Sequence, residues 1–209
     1  MTLAAVEDWT RTLGAIISLA SLSYAAVAML KSLRRPAGRE DRGARIILRA
    51  PVLLTATVLF LWVGYMLWRP LQVQMQPWLR VMLLPLAILL FFGGLALYLW
   101  GLRSLREMFG PSTSFAVRLH AGHRLITSGP YAYIRHPMYL AVIITAIGSV
   151  LLYRTWATLA FTIAMFGLPI RARREENVLA EEFGPEWEAY ATRVPMWLPR
   201  FGPDPNRGA

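Results

Sequence analysis

The residues of this chain best suited to chemistry lie in one seventeen-residue run, HRLITSGPYAYIRHPMY, from His123 to Tyr139. Two histidines, two arginines and three tyrosines stand there against the start of an apolar stretch. Ser128-Gly129-Pro130 is a turn signal. His136 precedes a proline and is biased to an extended backbone. Pro137 suits the first turn of a helix. A helix therefore begins here, and its free backbone N–H groups attract an anion. Arg135 and His136 add donors around the same point. The expected ligand has a carboxylate or phosphate end. The plainer alternative has Arg135 snorkelling to lipid phosphate and the tyrosines anchoring an interface. The density of polar groups beside Pro137 favours a ligand.

A second segment, Arg171–Glu176 (RARREE), follows the last apolar stretch. Arg171 and Glu175 are four apart and share a helix face. A carboxylate can accept both hydroxyls of a ribose, and an arginine can hold a carboxylate or phosphate by two parallel bonds. An ion pair among interfacial arginines is the competing reading, although glutamate preceding arginine is the more favourable order. Both readings stay open on the residues alone. Beyond it, Val178, Leu179, Phe183, Trp187 and Tyr190 form an interrupted apolar stripe, read as packing. Phe183-Gly184-Pro185 ends one helix and begins another.

The elements that must position these segments are hydrophobic. Of 209 residues, 56% are hydrophobic and 16% charged, against about 25% charged in soluble domains. Apolar stretches at Leu13–Leu30, Pro51–Trp68, Val81–Trp100, Met138–Tyr153 and Thr155–Ile170 predict an all-α, polytopic membrane protein of about five spans. The last two read as a tight hairpin or one bent element. The chain is expected to form one membrane domain, with a three-helix part over 1–100 and a catalytic half over 101–209 with C-terminal helices. The opening MTLAAVEDW is acidic where a signal peptide carries basic residues. Eighteen of the 22 basic residues fall in alternate loops on one side. The positive-inside rule puts that side, with the third loop and the C-terminus, in the cytoplasm and the N-terminus outside. Topology and anionic lipid thus account for the net charge of +10, and no nucleic-acid partner is expected. Arg34–Gly43 reads as a polar loop. With no cysteine, disulfides, thiolate metal sites and a cysteine nucleophile are excluded. His120, His123 and His136 lack metal-ligand spacing, so no metal is expected. No dinucleotide fingerprint or phosphate-loop motif occurs, which leaves no Rossmann domain.

Taken together, GPYAYIRHPMY (129–139), RARREE (171–176), FGPEWEAY (183–190) and VPMWLP (194–199) resemble the isoprenylcysteine carboxyl methyltransferase family. The likeness spans roughly 122–200, and 116–122 departs from the pattern. It implies an integral membrane enzyme that uses S-adenosyl-L-methionine and methylates a lipophilic or lipidated acceptor, a carboxylate, at the membrane surface. By motif position it implies cofactor contacts from His123, Arg124, Leu125, Ile126, Tyr131, His136, Pro137, Met138, Tyr139 and Glu175. It makes Arg171 the arginine for the acceptor carboxylate. Phospholipid or amine N-methyltransferases and nicotinamide-dependent membrane reductases share similar C-terminal halves and are the alternatives.

Overall fold

The computed structural model describes residues 2–33, 37–40, 50–105, 112–113, 116–120 and 124–199. Its helices are α1 (Leu3–Leu33), α2 (Ala50–Met66), α3 (Pro77–Leu105), α4 (Pro137–Tyr153), α5 (Trp156–Met165), α6 (Leu168–Phe183) and α7 (Pro185–Arg193). One 3-10 turn covers Gly129–Ala132. The chain is helical as expected, with one addition. Strands β1 (Ala37–Glu40), β2 (Ser112–Thr113) and β3 (Ala116–His120) form an antiparallel sheet in the order β1-β3-β2. Ala37 pairs with His120 and Ser112 with Val117. The alternation in AVRLH over 116–120 carries the period of two that a strand needs. Part of the polar loop at 34–43 is thereby a strand, and the rest of that loop lies outside the described residues.

Among the described residues, two helices are long and apolar enough to cross a bilayer by themselves. They run over Leu3–Lys31 and Pro77–Leu105. The first begins ten residues before the apolar stretch that marked it, because Glu7 and Arg11 find partners within the fold. Each of α2 and α4 has 17 residues, about 25 Å of helix, near the lower bound for a span. The fifth expected span is not one helix. α5 has 10 residues, about 15 Å, and the chain bends at Phe166–Gly167 before α6 starts with Pro169 in its first turn. A proline there cannot donate to a preceding turn, so the apolar run Thr155–Ile170 breaks into two helices. Thr155 caps α5 in a reciprocal pair with Thr158.

α3 and α4 pack most closely, and small residues allow it. A β-carbon on Gly148 would lie 2.4 Å from the Phe91 backbone nitrogen. One on Gly94 would lie 2.8 Å from the backbone nitrogen of Thr145. Around this crossing Ala87, Phe91 and Leu152 form a buried core. Close backbone approach is how helices associate where no hydrophobic effect separates side chain from solvent. At the other end of the chain, Gly184 takes φ +50 and turns α6 into α7, where an L side chain would be strained.

Gly148→Ala is expected to cost about 1–3 kcal/mol through backbone overpacking, read as a lower thermal midpoint in detergent. Gly93 faces open space, so Gly93→Ala should cause no loss. Equal losses from both would mean that the close crossing does not determine stability.

Candidate active site

The run 128–139 and the stub 171–176 meet at the N-terminal end of α4. Glu176 Oε1 lies 2.9 Å from Arg135 Nε and 2.9 Å from His136 Nε2. A carboxylate only accepts, so the proton of this contact sits on His136 Nε2. The side chain of His136 is 5% exposed, and those of Arg135 and Glu176 are 15% and 18% exposed. Arg135 Nη1 also donates to the Ala191 carbonyl at 3.0 Å, and its guanidinium stands 5.8 Å from the Trp187 ring centre. The backbone joins the same segments to the chain beyond α7. Arg135 N–H donates to Pro195 O at 2.9 Å, and His136 N–H to Met196 O at 3.3 Å.

One turn along α4, the Tyr139 hydroxyl donates to Glu175 Oε2. The guanidinium of Arg171 lies 5.2 Å from the Tyr139 ring centre. The His136 ring stacks parallel to that of Tyr139 at 5.4 Å and meets Trp197 at 5.8 Å. Adjacent residues on a helix point about 100° apart. Glu175 therefore shares the Arg171 face toward Tyr139, while Glu176 turns toward Arg135 and His136. The start of α4 has no side-chain cap, so its first N–H groups keep their affinity for an anion.

The α6–α7 pair supports this from below. Trp187, Tyr190 and Val194 are buried together, with Leu125, Leu179 and Phe183 packed on them. The apolar stripe is thus packing, as its spacing implied, and it holds the segment that leads into the turn. The Tyr190 hydroxyl donates to the Tyr131 carbonyl at 2.8 Å. Burial pushes the Tyr190 phenol up to about 12, partly opposed by Arg135 and to a lesser extent aided by Glu176. The Tyr131 phenol is raised well above its ordinary value by burial first and by Glu175 second. Both stay neutral donors throughout the physiological range.

Of the sequence-derived site residues, Tyr131, His136, Pro137, Met138, Tyr139, Arg171 and Glu175 gather here. Pro137 is fully buried and Met138 packs beneath Gly101. Leu125 belongs to the supporting core, Ile126 is half-buried and Arg124 is exposed. His123 lies outside the described residues. Sequence reasoning left out Glu176, Trp187 and the Pro195–Trp197 backbone. The doubled glutamate was the available signal for the first, and the proline-bracketed VPMWLP run for the last.

A profile of the isoprenylcysteine carboxyl methyltransferase (ICMT) family matches residues 85–181. This likeness covers a little under half of the chain. The matched span runs from the middle of α3 to the end of α6 and includes both halves of the site. A probable protein-S-isoprenylcysteine O-methyltransferase of Oryza sativa subsp. indica is 38% identical over 94 residues, 43% of this chain and 49% of that protein. A protein-S-isoprenylcysteine O-methyltransferase of Schizosaccharomyces pombe is 35% identical over 86 residues, 40% of this chain and 36% of its own length. The cobalt-zinc-cadmium resistance protein CzcN of Cupriavidus metallidurans is 37% identical over 79 residues, 37% of this chain and 36% of its length. The chain thus spans half or less of the curated relatives it matches. Among the described residues no three His, Asp or Glu side chains are grouped to hold a metal ion.

The raised Tyr190 phenol predicts a pH effect of known sign. An unfolded tyrosine ionises near pH 10, so the stability it contributes is full below that value and lost as pH climbs toward 12. Tyr190→Phe should cost about 1 kcal/mol at neutral pH and flatten the decline between pH 10 and 12. Denaturation curves across that window would decide it; parallel declines in both proteins would count against the assignment.

Proposed function

We propose that the chain catalyses methyl transfer from S-adenosyl-L-methionine to the carboxylate of a lipophilic acceptor, of the S-isoprenylcysteine type named in its relatives, at the membrane surface. One observation carries this: residues 131–139 and 171–176 come together in one cluster with an uncapped helix start, two carboxylates, an arginine and two tyrosines. That donor set fits the cofactor. The α4 N–H groups suit a carboxylate, Glu175 suits paired hydroxyls, and the face of Tyr131 suits a cation, the Tyr139 ring being already met by Arg171 and His136.

S-adenosyl-L-methionine, when bound, supplies an electrophilic methyl group on a positively charged sulfur. The residues of the chain have the task of alignment. Arg171 holds the acceptor carboxylate in line, where its fork allows two parallel bonds. An ionised carboxylate attacks without a general base, so no residue needs to take a proton. The methyl carbon gains the carboxylate oxygen and leaves sulfur, giving an ester and a neutral thioether. Opposite charges cancel in that step, which a dry site favours. His136 spends Nε2 on Glu176. It can donate to a ligand through Nδ1 only as the imidazolium, so the α4 backbone N–H groups carry most of the anion binding. The methyltransferase reading sets five crossings, the fifth bent at Phe166–Gly167, with the site at the cytoplasmic face and the acceptor arriving sideways through the bilayer. Pairing of β1 with β3 supports a shared side for the first and third loops.

Calorimetric titration with S-adenosylhomocysteine tests the proposal. Binding is expected, weakened about tenfold or more by Glu175→Gln, which removes a charged acceptor. Arg171→Ala should leave that binding intact and lower turnover by about a hundredfold through lost alignment. No binding at millimolar ligand would refute the cofactor, and full activity in both variants would refute the residue roles.

A further inference from the structure

A second charged cluster lies at the opposite end of the helices. Glu7 stands near the start of α1, Arg80 near the start of α3, and Arg154 directly after α4. The 17 residues of α4 put this end about 25 Å from the site at Tyr139. The Glu7 side chain is only 3% exposed. Its Oε2 meets Nη2 of Arg80 in a short contact, Nη2 of Arg154 at 2.8 Å and Nη2 of Arg11 at 3.6 Å. Its Oε1 accepts from Arg80 Nε at 3.3 Å.

Three guanidiniums thus face one buried carboxylate. Asp8 reaches Arg11 at 3.4 Å but is 73% exposed, and water screens such a pair. Among the described residues the group keeps a positive excess. It also keeps donors. Arg154 Nη1 has, among the described residues, the Met75 thioether at 3.7 Å, a weak acceptor. Arg80 Nη1 has no acceptor among the described residues, and its side chain is 34% exposed. The backbone shows that the place of Arg154 is imposed. Its φ of 54° is the one positive value on a non-glycine among the described residues, where glycine would sit without strain. Exposed Trp68, Trp78 and Trp156 ring the same end, and such rings lie at the level of lipid head groups.

We propose that Arg11, Arg80 and Arg154, organised by Glu7, form a phosphate site separate from the methyl-transfer cluster, filled by the phosphodiester of an anionic phospholipid. A guanidinium fork matches two phosphate oxygens. Free phosphate is the other source of the same chemistry.

Thermal unfolding of the delipidated full chain in detergent, titrated with phosphatidylglycerol, diacylglycerol or inorganic phosphate, tests this. Phosphatidylglycerol should raise the midpoint by several degrees and diacylglycerol should not. Arg80→Gln should raise the half-saturating phosphatidylglycerol about tenfold. Arg154→Lys, which keeps charge but loses the fork, gives the same reading if Arg80→Gln does not fold. Glu7→Gln should lower the midpoint without lipid yet lower the half-saturating lipid, since a competing carboxylate is gone. A mere staple would lose both. If inorganic phosphate alone reproduces the shift and Arg80→Gln abolishes it, the site stands with the free ion as ligand. Equal stabilisation by diacylglycerol, or identical lipid responses in the native chain and all three variants, would overturn it.

Discussion

Glu176 is the group on which the rest of the structure turns. One carboxylate engages Arg135 and His136, forty positions earlier in the chain, in surroundings that exclude most water. A buried pair of this kind adds little net stability, because desolvation offsets attraction. Its force lies in what it forbids. Separating the segments would leave an unpaired charge in a dry place, a far larger cost than the pair ever returns. The stub after α5 is therefore held to the start of α4, and the backbone bonds from Arg135 and His136 to 195–196 fix the register.

That constraint dictates the hairpin. α4 leaves the site and α5 must bring the chain back to it, yet α5 is seven residues shorter than α4. The bend at Phe166–Gly167 resolves the mismatch by letting α6 approach at its own angle. The apolar middle of α3 and α4 depends on close backbone contact at Gly94 and Gly148. Among the described residues, charged clusters lie at the two ends of these helices, around Glu176 and around Glu7. Polar groups at both ends with an apolar middle are the pattern that suits a bilayer.

Local rules made much of this legible. Pro137 in the first turn of α4, the Phe183-Gly184-Pro185 break and the stripe to Tyr190 each follow from backbone chemistry within a few residues, and each holds. His136 departs from the extended backbone expected before a proline, at φ −122° and ψ 56°. The spacing of Arg171 and Glu175 put both on one face. What escaped depends on distant partners. Hydropathy reads Thr155–Ile170 as one apolar run and is blind to the bend. Glu7 reads in the sequence only as an acidic residue of the opening MTLAAVEDW, because Arg80 and Arg154, more than seventy residues away, make it a buried anchor. Glu176 is indistinguishable from Glu175 until the helix is rotated into place. The sheet hides in loops whose strands are too short to announce themselves.

The two glutamates stand in different surroundings on one helix. Glu176 is tied to the Arg135 guanidinium and to the His136 Nε2–H, and a contact in which both groups are charged is the strong kind. Glu175 is tied to a neutral phenol. A neutral donor holds a carboxylate less firmly, so Glu175 can exchange Tyr139 for the hydroxyls of a ligand at modest cost. Glu176 cannot exchange its partners without stranding charge. Neighbours in sequence thus have different partners because a helix turns them about 100° apart, one fixing the two segments together and the other, under the proposed function, the one that faces a ligand.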